Sequence, residues 1–160
     1  MGNPVPVAVS GATYRKFADS DLSDSDNSKF GDKVDEGTFD VEDLAMGIIR
    51  FDNGACLQIE FSWASNIEKE KGFVELRGDK AGLSWENGNL KIFSEKKGKL
   101  TDEKPRFKMS NGHMRNLRNF VDVILDGAQP VFVPQQGVDM IKILDAMYRS
   151  ADSGREIRLD

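Results

Sequence analysis

Three carboxylates are the residues of this sequence best suited to acid–base chemistry: Glu42, Asp43 and Glu60. Two carboxylates can serve as acid and base when their environments separate their pKa values, and a glycoside hydrolase needs both of them in one pocket. Glu42 and Asp43 are neighbours at the start of a predicted strand, where successive side chains point to opposite faces. A hydrolase that uses these residues is therefore a hypothesis that the spacing does not require, although one carboxylate can still face a cleft.

An aromatic side chain and an amide stand close together at the end of another predicted strand. Trp63 and Asn66 precede the charged segment 68–71. An indole has an apolar face, and an amide both donates and accepts hydrogen bonds, so this pair suits a surface that faces a sugar or polyol. The alternative is that Trp63 anchors the edge of the hydrophobic core.

The sequence contains a single histidine, His113, and a single cysteine, Cys56. His113 could exchange a proton near neutral pH, but it begins a predicted helix, where the macrodipole disfavours an imidazolium and favours a local hydrogen-bonding role. One Cys and one His cannot build a zinc site by themselves, so we predict no metal site. No internal disulfide can form, which is typical of a protein from the reducing cytoplasm.

Alternating apolar residues and turn signals predict that most of the chain before residue 110 forms strands. The turn Asp52-Asn53-Gly54 separates two strong strands, and Asn87-Gly88 is a two-residue hairpin signal. The predicted strands cover residues 5–14, 41–51, 55–63, 72–77, 83–86, 89–94 and, irregularly, 100–109. Because hairpins join antiparallel neighbours, the sheet should be mostly antiparallel.

Two amphipathic helices are predicted over residues 112–126 and 134–153, and a short strand over 155–159 follows them. Ser110 or Asn111 can cap the first helix, while Gly127 and Gly154 supply left-handed stops. The stripe of the first helix consists of Met114, Leu117, Phe120, Val121, Ile124 and Leu125. The stripe of the second consists of Val138, Ile141, Leu144, Met147 and Tyr148.

The helices must cover an apolar sheet face. In strand 55–63 that face consists of Leu57, Ile59, Phe61 and Trp63. We therefore predict an α+β fold with an open, mostly antiparallel β-sheet and helices packed on one face.

Length and charge limit the possible functions. The 160 residues favour one domain, and the net charge of −5 argues against nucleic-acid binding, which needs a basic surface. The sequence shows neither an apolar run of membrane-spanning length nor the basic and apolar regions of a signal peptide. Residues 18–38 are rich in Asp and Ser without a period, so we expect a solvated acidic loop. A calcium-binding loop would need a glycine at its sixth position and a bidentate glutamate at its twelfth, and the Asp-rich run of this segment lacks both.

The C-terminal part of the chain also resembles a known family. The segments 120–127, 145–151 and 153–157 include the pattern Tyr148-x-Ser150-Ala151-x-x-Gly154-Arg155. They are similar to the end of the C-terminal domain of the Gfo/Idh/MocA (glucose–fructose oxidoreductase / inositol dehydrogenase) family. Farther upstream, the segments 41–45, 51–55 and 75–82 resemble a hairpin and a turn of that domain, with Asp79 in place of the usual Thr.

The resemblance implies a fragment of a two-domain enzyme. In this family an N-terminal Rossmann domain binds NAD or NADP and carries the catalytic lysine, while the C-terminal open sheet shapes the substrate pocket and often makes the oligomer contact. The sequence has no Gly-x-Gly-x-x-Gly fingerprint, and Glu103-Lys104-Pro105 matches the family's lysine motif only by coincidence. We therefore expect residues 1–160 to be a single C-terminal substrate and oligomerisation domain, without the Rossmann domain, without catalytic residues and without a bound cofactor.

The resemblance also implies a sugar-like or polyol-like substrate and a homo-oligomer in the cytoplasm. We expect the substrate walls to come from Trp63, Asn66 and Tyr14, with Lys16 and His113 behind them. The mixed face of strand 55–63, which should meet a second subunit, consists of Cys56, Gln58, Glu60 and Ser62. The alternative is a free-standing, non-catalytic binding or scaffolding module of the same fold, which a natural start at Met1 would favour.

Overall fold

The structure is a computed structural model of the chain that describes residues 3–16, 40–69, 71–107 and 110–159. The predicted acidic loop, 18–38, lies outside these residues. Contacts divide the chain into unit 1, formed by Met1–Asn66 and Phe132–Asp160, and unit 2, formed by Ile67–Val131. The elements in chain order are β1 Pro6–Tyr14, β2 Leu44–Phe51, β3 Cys56–Ser62, β4 Phe73–Arg77, β5 Ala81–Glu86, β6 Asn89–Lys96, β7 Lys99–Glu103, α1 Gly112–Asp126, α2 Pro134–Ser153 and β8 Ile157–Arg158.

Unit 1 contains an open antiparallel sheet in the order β3-β2-β1-β8. The β2–β3 turn follows the prediction: Gly54 has a φ of 83°, and its N–H donates to the Phe51 carbonyl at 3.0 Å. The Asn53 side chain accepts from the Ala55 N–H at 3.0 Å and so stabilises the same turn. In this order, the end of β1, the start of β2 and the end of β3 lie side by side at one end of the sheet.

Helix α2 packs against β1 through small residues. The core consists of Val9, Ile49, Ala146 and Met147. A Cβ atom on Gly11 would run into the Met147 side chain and would lie 3.1 Å from the Met147 carbonyl oxygen. The close approach of helix and strand therefore depends on the missing side chain at Gly11.

The predicted α2 stripe is wrong in all but one of its members. Met147 is buried, but Val138, Ile141, Leu144 and Tyr148 are exposed. The buried side is formed instead by Ala146, Met147 and Ser150. The missing side chain at Gly11 lets the backbone of α2 come close to β1 at Met147, so the side of the helix that carries Met147 is the buried one.

The apolar face of β3 is also less covered than predicted. Ile59 packs against the core, whereas Leu57, Phe61 and Trp63 are exposed, Phe61 by 67%. The reason is topological, because β3 is an edge strand and α2 lies over β1, two strands away.

Ser150 joins the end of α2 to β1. Its buried hydroxyl accepts from the Gly11 N–H at 2.9 Å and donates to the Arg155 carbonyl at 2.6 Å. Gly154, with a φ of 65°, ends the helix and donates its N–H to the Ser150 carbonyl at 2.8 Å. The pattern from Tyr148 to Arg155 therefore has a structural meaning: it closes α2 and fastens its last turn to the sheet.

Unit 2 contains a second open antiparallel sheet, in the order β4-β5-β6-β7, and helix α1. The predicted Asn87-Gly88 hairpin turn is confirmed, with φ angles of 49° and 81°. Helix α1 has the predicted bounds, and Asn111 caps it by accepting from the Met114 N–H at 3.2 Å. Two antiparallel open sheets with two helices confirm the α+β class.

The apolar stripe of α1 is exposed in the part of the chain that the structure describes. Phe120, for example, is 64% exposed, and none of the residues of α1 is buried. Caps at both ends hold this helix, and the Asn119 side chain ties it to the following segment through Gln129 and Val131, at 3.0 and 2.9 Å. That this stripe covers the strands stays a prediction.

Candidate functional site

The candidate site lies at one end of the sheet in unit 1, around the dipeptide Glu42-Asp43. These residues come directly before β2, and the ends of β1 and β3 flank that position. The two carboxylates have different surroundings, and the difference separates their roles.

Asp43 is a structural residue that is 1% exposed. Its N–H donates to the Tyr14 carbonyl at 2.9 Å, and its carbonyl accepts from the Trp63 N–H at 3.2 Å and from the Ser62 hydroxyl at 3.0 Å. Its carboxylate accepts from the Lys16 N–H. Asp43 therefore ties the ends of β1 and β3 to the start of β2, and the hydrogen bonds satisfy a polar group that would be costly to bury alone.

Glu42 is half-buried and connects two aromatic residues. The Tyr148 hydroxyl donates to its carboxylate and lies 2.8 Å from each oxygen, while the Trp63 indole N–H donates to its main-chain carbonyl at 2.8 Å. The hydrogen bond to Glu42 raises the pKa of the Tyr148 phenol above its ordinary value, and burial and the negative charge of Glu42 add to this increase. The phenol therefore keeps its proton and remains a donor at neutral pH.

The structure brings some of the predicted site residues together. Trp63 contacts Glu42 and is 42% exposed, and the backbone of Lys16 contacts Asp43. Asn66 is exposed in the same unit, three positions after Trp63. His113 belongs to unit 2, where it lies in the first turn of α1.

Tyr14 lies at the same end of the sheet, but on the face opposite the one that α2 covers. It pairs with Leu44, which pairs with Ser62. Side chains alternate along a strand, so Tyr14 points away from the face that carries Gly11, against which α2 packs. The Tyr14 side chain therefore lies on the sheet face opposite the one that α2 covers.

The pairing of Tyr148 with Glu42 is not among the sequence-based expectations. The apolar stripe of α2 predicts a buried Tyr148, but this residue is 47% exposed and its hydroxyl reaches Glu42. A signal was present, because a tyrosine at the margin of an apolar stripe has a hydroxyl that needs a partner. The partner is 106 positions away in the chain, so spacing alone could not identify it.

The described residues do not support a hydrolase site or a metal site. Asp43 is engaged by backbone and side-chain donors, and Glu60 pairs with Met46 on the sheet face opposite Gly11. Among residues 3–16, 40–69, 71–107 and 110–159, no group of three His, Cys, Asp or Glu side chains could hold a metal ion. Within the same ranges, no helix is long and apolar enough to cross a membrane.

Comparison with known proteins defines the class. Residues 2–159 match the oxidoreductase family's C-terminal alpha/beta domain. The chain is therefore a C-terminal domain of the oxidoreductase type, and it belongs to the Gfo/Idh/MocA family, as its sequence patterns predicted.

Individual relatives agree with this assignment. The D-glucoside 3-dehydrogenase of Escherichia coli (strain K12) is 27% identical over 161 residues, which cover 99% of this chain and 44% of that protein. The aldose–aldose oxidoreductase from Caulobacter crescentus, complexed with glycerol, has a TM-score of 0.69 and 19% identity over 98% of this chain and 42% of its own.

A levoglucosan dehydrogenase in complex with NADH has a TM-score of 0.74 and 16% identity over 98% of this chain and 45% of its own. At these identities the two solved structures show the fold alone. The chain spans less than half the length of each of these three relatives.

Proposed function

We propose that this chain is the substrate-side domain of an NAD(P)-dependent oxidoreductase that acts on a sugar, polyol or similar substrate by hydride transfer. The observation that carries the proposal is the match of residues 2–159 to the C-terminal domain of an oxidoreductase family. The substrate class is supported by a D-glucoside 3-dehydrogenase that aligns with 99% of this chain at 27% identity. In the intact parent, this domain contributes walls of the substrate pocket, including Trp63 and Asn66.

The cofactor belongs to the remainder of the parent enzyme. The sequence offers no Gly-x-Gly-x-x-Gly turn, which in other proteins brings the backbone close to a dinucleotide pyrophosphate. The residues of this chain therefore do not fit NAD or NADP by themselves. By this proposal the isolated chain neither holds the cofactor nor turns over substrate.

The open face of the sheet in unit 1 is proposed as the contact between copies of the enzyme in the cytoplasm. Ile48 is exposed on this face beside Gln58, its cross-strand neighbour, and Cys56 and Glu60 flank that position on β3. Burial of its apolar part stabilises a dimer by about 25 cal/mol per Å², and a two-fold contact would pair the face with itself. Analytical ultracentrifugation of the 160-residue chain at micromolar concentration should show a dimer or a larger assembly. A monomer would contradict this contact.

The alternative is a free-standing binding or scaffolding module of the same fold. Sequencing the native coding DNA upstream of Met1 separates the two proposals. We expect an in-frame extension that encodes a strand, a Gly-x-Gly-x-x-Gly turn and a Glu-Lys-Pro motif. A stop codon and a ribosome-binding site directly upstream would contradict the oxidoreductase proposal and favour the module.

A further inference from the structure

We propose that Glu42, Tyr148 and Trp63 form a binding site for a neutral ring sugar, in which the Glu42 carboxylate accepts hydrogen bonds from two adjacent hydroxyl groups. The inference rests on the proposed function, because it specifies how a sugar would be recognised. It needs only residues of unit 1, and each of the three is at least partly accessible.

The Glu42 carboxylate has acceptor capacity beyond its present bond. An ionised carboxylate offers about four lone-pair sites. Tyr148 has one hydroxyl proton, which its two 2.8 Å contacts with the carboxylate share. The remaining lone pairs can accept from a vicinal diol, and hydrogen bonds to a charged acceptor are stronger than those between neutral groups.

The aromatic residues favour a ring over an open chain. The indole N–H of Trp63 already donates to the Glu42 carbonyl, so this side chain has no second polar donor to offer a substrate. Trp63 is 42% exposed and can still offer apolar ring surface. Aromatic faces carry negative charge density and attract the C–H groups on the apolar side of a pyranose. An acyclic polyol presents no such continuous side.

The site is held in place before a ligand binds. Asp43, directly after Glu42, is buried and bonded to the ends of β1 and β3. Tyr148 orients the Glu42 side chain from α2, whose last turn is fastened to β1 through Ser150. Residues fixed in advance lose less conformational entropy on binding.

The site can be tested by NMR titration of the 160-residue chain with methyl β-D-glucopyranoside. The chain contains two tryptophans, so two indole N–H signals are expected, and a Trp85→Phe variant assigns them. Glu42→Gln removes the charge but keeps the main-chain carbonyl that accepts from Trp63. The free Trp63 signal should therefore stay in place, while the dissociation constant for the glucoside rises about tenfold or more.

Glu95→Gln is the matched control, because it removes the same charge from an exposed residue of unit 2 that belongs to neither the proposed sugar site nor the proposed contact between copies. It should leave the affinity unchanged, and D-sorbitol should bind wild type more weakly than the glucoside. Equal affinities of wild type and Glu42→Gln would overturn the inference. The absence of glucoside binding to wild type would also overturn it. The proposed function is tested separately, by sequencing the coding DNA upstream of Met1.

Discussion

Helices α1 and α2 look alike in the sequence, but they are held in different ways. Both have an apolar stripe, and both stop at a left-handed glycine. Helix α2 buries Ala146, Met147 and Ser150, whereas none of the residues of α1 is buried. The comparison teaches that periodicity and caps define where a helix begins and ends. The attachment of a helix depends on the residues that it buries against a partner, which for α2 are Ala146, Met147 and Ser150.

The largest expected effect separates an anchored residue from an exposed one of similar size. Met147→Ala should lower the free energy of unfolding by about 2–5 kcal/mol, because it leaves a cavity in the core of unit 1. Phe120→Ala on α1 should change it by less than about 0.5 kcal/mol, since Phe120 is exposed. Urea denaturation followed by circular dichroism measures both. Equal losses would mean that α1 is anchored as firmly as α2.

The next effect concerns the strand beneath α2. Gly11→Ala should lower the free energy of unfolding by about 1–3 kcal/mol, because the added Cβ meets both the side chain and the main chain of Met147. Gly112→Ala, at the start of α1, is the matched control, since no neighbour lies within 4 Å of its added Cβ. A tolerated Gly11→Ala would contradict the close packing of α2 on β1.

Removal of the Ser150 hydroxyl tests the hydrogen bonds that join the end of α2 to β1. Ser150→Ala should cost about 1–3 kcal/mol of stability, because it leaves the Gly11 N–H without its acceptor in a buried position. Ser153→Ala removes an exposed hydroxyl that bonds the Arg149 carbonyl within the same helix, and it should cost less than about 0.5 kcal/mol. Thermal unfolding of the two variants gives the comparison directly.

The smallest effect is a pH dependence of the Tyr148–Glu42 contact. The folded-state pKa of Tyr148 is raised above its ordinary value of 10.0. The stabilisation from this contact is therefore fully present below pH 10.0 and is lost as the pH rises through the folded-state pKa. Wild type should lose stability in this alkaline range more steeply than Tyr148→Phe. Parallel curves of unfolding free energy against pH would show that the contact contributes nothing.

Local patterns were enough to predict the fold class, the bounds of both helices and the turns at Gly54 and Gly88. These features depend on backbone preferences and hydrophobic periodicity within a few residues. The buried side of α2 was predicted wrongly, because the decisive contact with Gly11 comes from the other end of the chain.

The candidate site was only partly predictable, for the same reason. Trp63 could be selected as an aromatic residue at a strand end, and the structure places it against Glu42. Alternation along β1 directs Tyr14 to the other face, which required the strand register to be known. The partnership of Tyr148 with Glu42 depends on how α2 is positioned on the sheet, and a single sequence does not state that.

The most direct test of the account is the steady-state kinetics of the parent enzyme, expressed from its full open reading frame, with methyl β-D-glucopyranoside and NAD⁺ or NADP⁺. We predict cofactor-dependent oxidation by wild type and by Glu95→Gln. For Glu42→Gln we predict a KM about tenfold higher, with a much smaller change in kcat, because the lost interaction binds the substrate before and during the reaction. An unchanged KM in Glu42→Gln would contradict the sugar site, and the absence of any cofactor-dependent oxidation of neutral sugars would contradict the proposed function itself.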